Sequence, residues 1–184
     1  MTKVLESLAT RAADEGLLDV AYARLDTPLG EGLVAATRRG LVRLALPNER
    51  ADDVLEALAA DVSPRVLEWP AGLDDARREL DEYFAGHREE FDLHLDWRLS
   101  NPGFYRRVLR ATARLHFGET ATYGDMAALA GSPRAFRAAG SALGSNPIPI
   151  VVPCHRVVRS GGEIGNYGGG PEMKRFLLEL EGAL

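Results

Sequence analysis

The sequence predicts an α+β protein in two parts: a small antiparallel three-stranded sheet with helices over residues 1–93, and a mainly helical part built on a helix-turn-helix over 94–184. Three observations predict it. Runs of alternating apolar residues crowd into 20–46, whereas the patterns at 73–84 and 104–115 recur at helical spacing. The charge divides in the same place: residues 1–93 carry 11 Lys+Arg against 20 Asp+Glu, a net −9, and residues 94–184 carry 11 against 7, a net +4.

The strands are read at Val20–Leu25, Gly32–Ala36 and Gly40–Leu46, joined by short turns containing glycine. Two helices follow, Asp52 to Ala60 and Leu73 to Phe84. The second places Leu73, Ala76, Leu80 and Phe84 on one face and ends at Gly86. Residues 90–97 have the mixed character of a connector, which sets the boundary near 94. Beyond it, Phe104, Val108, Ala111 and Leu115 mark a helix that starts after Asn101-Pro102, with Arg106, Arg107, Arg110 and Arg114 on its other sides. Thr122 and Asp125 then have capping-box spacing, Gly131 ends the capped helix, and Ser132-Pro133 begin another that runs to Leu143. Helix, glycine turn and helix form the helix-turn-helix pattern. The side chains from Ala138 to Ala142 are nearly all small, which suits either a helix pressed into a DNA groove or one packed tightly inside the protein.

A net charge of −5 for the whole chain argues against a nucleic-acid partner, but the average hides a basic second half. The start of the chain shows no basic region followed by an apolar run, and no apolar stretch approaches the length of a membrane span, so a cytoplasmic protein is expected. The single cysteine, Cys154, excludes an internal disulfide and any metal site built on several cysteines. It lies in Pro153-Cys154-His155-Arg156-Val157, after the proline-stiffened Asn146-Pro147-Ile148-Pro149 and the apolar Ile150-Val151-Val152. An imidazole and a guanidinium beside a thiol can lower its pKa or take its proton. In an extended segment, however, Cys154 and His155 would point to opposite faces, so a water or a backbone bend must mediate.

These residues resemble the O6-alkylguanine-DNA alkyltransferases, also called methylated-DNA-protein-cysteine methyltransferases. The likeness rests on the segment around Cys154, on Gly165-Asn166-Tyr167-Gly168-Gly169, on Leu180-Glu181-Gly182 and on Thr122-Tyr123-Gly124, and it covers residues 102 to 182. The first half is similar more loosely, through Thr27-Pro28-Leu29-Gly30 and Leu80–Gly86. The resemblance implies a ribonuclease H-like N-terminal domain and a winged-helix C-terminal domain. It also implies direct reversal of DNA damage, in which an alkyl group moves irreversibly from O6 of guanine to Cys154, one lesion per molecule. By the same resemblance His155 deprotonates Cys154 through a water, Glu181 orients His155, and Asn146 supports the active-site turn. Arg137 fills the space left by a flipped base, and Tyr123 assists rotation of the target phosphate and donates a proton to the departing guanine. Arg137, Ala138, Ala139, Gly140 and Ser141 would enter the minor groove with Tyr123. Tyr167, Gly168, Val157, Pro149 and Leu143 would form the guanine pocket.

The implied partner is double-stranded DNA containing O6-alkylguanine, bound by a monomer with no cofactor. Gly168 replaces the serine that some members have there, which keeps an amide and removes a hydroxyl. Some members hold zinc in the N-terminal domain; here no cysteine precedes Cys154, and His87 and His94 alone make no closed site, so no metal is expected. A module that recognises alkylated guanine without accepting the alkyl group is the competing reading, and relatives of that kind usually lack the cysteine.

Overall fold

The alternation at 20–46 becomes three antiparallel strands, β1 (Val20–Thr27), β2 (Gly30–Thr37) and β3 (Gly40–Ala45). The β1–β2 turn is held by Thr27, whose hydroxyl donates to the Gly30 carbonyl at 2.8 Å and accepts from the Leu29 amide at 3.1 Å. A computed structural model describes residues 2–184, and the sequence reading at Met1 lies outside them. Within it the chain divides into two compact units, one running to Ala85 and including Asp92–Leu99, the other formed by Gly86–Phe91 and Ser100–Leu184.

In the first unit, helix α1 (Thr2–Asp14) precedes the sheet and was not expected from the sequence. Helix α2 (Ala51–Asp61) supplies Val54 and Leu58 to a core made with Val20, Leu33, Ala35, Val42 and Ala45. After it comes β4 (Val66–Glu68), which pairs in parallel with β1. The expected three-stranded sheet is therefore corrected to a four-stranded mixed one, in the order β3-β2-β1-β4. A strand of three residues, set between Pro64 and Pro70, is too short to show a period of two. A 3-10 turn, Pro70–Leu73, leads into α3 (Asp74–Phe84), which buries Ala76, Leu80 and Tyr83. The outer edge of β3 is covered by the connector: the Leu41 amide donates to the His94 carbonyl and the Asp96 amide to the Leu41 carbonyl, both at 2.8 Å. This contact requires Gly40, since a Cβ there would lie 2.1 Å from the His94 carbonyl oxygen, at a φ of +125°.

The second unit packs α4 (Phe104–Thr112), α5 (Tyr123–Leu129) and α6 (Phe136–Gly144) on one another. Helix α4 is shorter than its periodicity suggested and leaves Leu115 beyond its end. The capping box forms as read: Asp125 N donates to Thr122 Oγ1 at 3.1 Å and Thr122 N to Asp125 Oδ2 at 2.8 Å. Gly131 follows at φ +81°. Helix α6 begins three residues later than expected. Ser132–Ala135 close a turn of their own, Ala135 N to Ser132 O at 2.9 Å, and Pro133 occupies the second position that proline favours in such a turn. Two short strands, β5 (Ala121–Thr122) and β6 (Val157–Val158), pair in parallel and tie the start of the helix-turn-helix to the chain just after Cys154. Helix α7 (Pro171–Leu180) ends the unit and delivers Glu181. No helix among the described residues is long and apolar enough to cross a membrane.

Candidate active site

Between α6 and β6 the chain makes a tight knot. Asn146 closes it: its Oδ1 accepts from Ile148 N at 3.1 Å, and its Nδ2 donates to Val152 O at 2.8 Å and lies 3.2 Å from Cys154 Sγ. Ile150, inside the loop, is held at φ +72°, a conformation costly for a β-branched residue that the surrounding hydrogen bonds impose. The segment then turns rather than continuing extended: Cys154–Arg156 form a 3-10 helix with the Arg156 amide bonded to the Pro153 carbonyl. The opposite-faces premise is thereby corrected, because successive residues of a 3-10 helix are rotated by about 120°.

His155 is fully buried, and its Nε2 lies 2.8 Å from Glu181 Oε1. Glu181 also takes Arg156 Nε at 2.7 Å and Nη2 at 2.9 Å, and the Gly118 amide reaches it at 3.4 Å. Arg156 Nη1 donates to Leu115 O at 2.5 Å. The carboxylate is thus bound by a forked guanidinium and an imidazole away from water, the setting in which such bonds are strongest. Burial pushes the His155 pKa down, against the opposing pull of Glu181, so the ring is neutral at pH 7. In a neutral ring whose Nε2–H points at the carboxylate, Nδ1 carries the lone pair. Nδ1 is buried and takes no hydrogen bond from the protein.

Burial raises the Cys154 pKa, and the Asn146 amide, the Lys174 charge and nearby backbone amides oppose it, so the resting group is a thiol. Lys174 is itself buried on α7, donating to Val157 O at 2.6 Å and Asn166 O at 3.3 Å, with a pKa lowered to about 8 by desolvation. Sequence reasoning missed it. The signal was available, since Lys174 shares the helical face of Leu177 and Leu178, where an unpaired cation is costly.

Cys154 opens onto a cavity of about 780 Å³ whose wall includes Tyr123, Arg137, Gly140, Leu143, Tyr167 and Gly168. Tyr123 is half-buried, with Gly140 on one side and Gly165 on the other, where a Cβ would come within 3.1 Å of its hydroxyl. Burial raises its pKa, so the hydroxyl keeps its proton at neutral pH. The ring of Tyr167 meets His155 edge-on at 6.3 Å. Pro149 and Val157 are buried and are not part of the cavity wall, and one lone pair of the Val157 carbonyl is occupied by Lys174. On α6, Arg137 and Ser141 are exposed, Ala138 and Gly140 partly so, and Ala139 is fully buried. The placement of Ala139 in a DNA-contacting set is therefore corrected: with Ala142 and Leu143 it forms the inward face of α6, and its small size serves helix packing. Among the described residues no group of three or more His, Cys, Asp and Glu could hold a metal.

Residues 20–97 match the family model for the 6-O-methylguanine DNA methyltransferase ribonuclease-like domain, and residues 103–183 match that for the DNA-binding domain. The methylated-DNA--protein-cysteine methyltransferase of Mycobacterium tuberculosis is 38% identical over 165 residues, covering 88% of this chain and 92% of its own. The chain belongs to the O6-alkylguanine-DNA alkyltransferase family. The mouse methylated-DNA--protein-cysteine methyltransferase is 40% identical, covering 88% of this chain and 81% of its own. Among solved structures, Mycobacterium tuberculosis OGT in complex with DNA matches with a TM-score of 0.76 and 37% identity over 88% of this chain and 92% of that one. The alkyltransferase architecture places the buried carboxylate–imidazole pair, the thiol and the cavity within its C-terminal unit.

Proposed function

We propose that Cys154 is the acceptor through which this alkyltransferase performs direct-reversal DNA repair, taking the alkyl group from O6-alkylguanine. The observation that carries the assignment is the His155–Glu181 contact, which fixes the tautomer and leaves Nδ1 as a base in the residue next to the thiol. A water between Cys154 Sγ and His155 Nδ1 relays the thiol proton as the sulfur attacks, and Glu181 stabilises the imidazolium that forms. The new S–C bond forms as the C–O6 bond breaks, and the electron pair passes to the guanine ring. Tyr123 donates a proton to that leaving base and is reprotonated from the imidazolium through solvent, so that the thiol proton ends on guanine. The thioether has no route back to a thiol, and each molecule acts once.

The alkyl carbon is out of reach while its base is stacked, so the nucleotide turns out of the duplex into the cavity, which is large enough to admit a base. Arg137, exposed on α6 at the rim, takes the vacated space, and Ala138, Gly140 and Ser141 present little bulk to the minor groove. Leu143, Tyr167 and the Gly168 amide surround the guanine.

The test is peptide mass spectrometry after incubation with a duplex carrying one O6-methylguanine. A gain of about 14 Da on the Cys154 peptide, saturating at one per molecule and absent in Cys154→Ala, is expected. Lesion binding without any mass gain would instead make the chain a damage-recognition protein.

A further inference from the structure

Helix α6 presents Phe136, Arg137, Gly140, Leu143 and Gly144 to the cavity, and Phe136 is its first residue. At a rise of about 1.5 Å per residue it stands roughly 10 Å along the axis from Leu143, at the outer end of this face. Phe136 is 51% exposed, an unusual state for a phenylalanine beside a functional cavity. The Arg137 guanidinium lies over its ring, 5.8 Å from the centroid. The surroundings suit a polyanion: Arg134 and Arg137, both exposed, flank the ring in sequence.

We propose that Phe136 is a DNA wedge, whose ring packs against the base next to the slot that Arg137 fills, so that the two side chains together hold the stack open. The inference rests on the alkyltransferase reading and adds a residue to it. A single everted nucleotide leaves a slot about 3.4 Å thick along its strand, room for one flat group. The guanidinium occupies it, and the phenyl ring, already held against the guanidinium in the free protein, covers the exposed face of the flanking base. Apolar wedges of this kind offset the unstacking of a base step, and aromatic contact with a base is sequence-tolerant. The occupant is a duplex rather than a protein surface, because the ring stands among exposed arginines at the mouth of the cavity that contains Cys154.

The test compares single-turnover methyl transfer to Cys154 from a duplex and from the same lesion in a single strand, where no paired stack has to be held open. Phe136→Ala is expected to lower the duplex rate, relative to the single-strand rate, on the order of tenfold, and Phe136→Trp to restore it. Equal rates for wild type and Phe136→Ala, or equal losses on both substrates, would overturn the wedge. If the ring only steadies Arg137, then Phe136→Ala has no further effect in an Arg137→Ala background; the wedge requires a residual loss there. A wild-type protein that transfers nothing from either substrate would instead remove the alkyltransferase assignment of Cys154, and the wedge with it. The half-exposed residue makes little demand on folding, and an unchanged melting temperature for Phe136→Ala checks this.

Discussion

Replacing Glu181 by Gln keeps the shape of the side chain and removes one acceptor oxygen together with the charge. The consequence follows from the N–H donors that converge on this carboxylate. Oε1 receives His155 Nε2 and Arg156 Nη2, while Oε2 receives Arg156 Nε and the Gly118 amide. Whichever way the new amide is turned, its NH2 faces at least two N–H groups. Arg156, with 5% of its side chain exposed, is left as a buried cation without its counter-charge. Stranding a buried charge costs about 3–5 kcal/mol, and the expected loss in urea unfolding is of that size. If the NH2 faces His155, the ring must present Nε2 as acceptor and carry its proton on Nδ1, which abolishes the base. The rate of methyl transfer is then expected to fall on the order of 10²- to 10⁴-fold. The decisive comparison is the double variant Arg156→Met/Glu181→Gln. With the guanidinium gone, the amide oxygen can turn to His155 Nε2, so stability and rate both recover in part, short of wild type by the unpaired Leu115 carbonyl. A double variant worse than the single one in both respects would refute this account of Glu181.

Three further outcomes are expected. Burial holds the folded His155 pKa below the ordinary imidazole value of 6.5, so above pH 6.5 both folded and unfolded states are neutral and stability is complete. Below it the unfolded state takes the proton first, and stability should decline by about 1.4 kcal/mol per pH unit until the folded pKa is reached; urea titrations of His155→Gln at pH 7.5 and 5.5 should lack this component. Lys174→Met removes the cation that favours the thiolate, so the pH profile of Cys154 alkylation by iodoacetamide should move upward and transfer at pH 7.5 should slow on the order of tenfold; an unchanged profile would show that the charge does not reach the sulfur. Asn146→Ala deletes the bonds to Ile148, Val152 and Cys154 Sγ, and a loss of about 2–3 kcal/mol in thermal or urea unfolding, with slower transfer, is expected.

What the sequence made legible was what local chemistry alone decides. The β1–β3 meander follows from alternation, and the Thr122–Asp125 box needs only two side chains three residues apart. Both survive whatever packs around them. The parallel strand β4 was hidden because its identity comes from a long-range pairing with β1, and the start of α6 because Pro133 serves a turn as well as it serves a helix. At the site, the segment around Cys154 and Glu181 marked themselves by resemblance. Lys174 and the second role of Arg156 did not, since each matters through a carbonyl or carboxylate remote in sequence. Ala139 shows the converse: a run of small residues contains both an outward and an inward face, and only the helix phase separates them.

The raised pKa of Cys154 looks at first like a poor design for a nucleophile. A protein that acts once has the opposite requirement from an enzyme that turns over, because any reaction with a stray electrophile destroys it as surely as repair does. Burial keeps the sulfur protonated and covered, and the cost is borne locally by Asn146, Lys174 and the backbone amides that receive the thiolate. The base is equally reserved. His155 is neutral only because it is buried, and its proton affinity is restored by Glu181, which is in turn held by Arg156. Reactivity therefore depends on an alkyl carbon held in line with Sγ inside the cavity, where proximity rather than free thiolate supplies the rate. This makes the ratio of lesion-driven to iodoacetamide-driven alkylation the quantity that Lys174, Asn146 and Glu181 jointly set. A variant that raised both rates together would show that the protection comes from access alone and not from the protonation state of the sulfur.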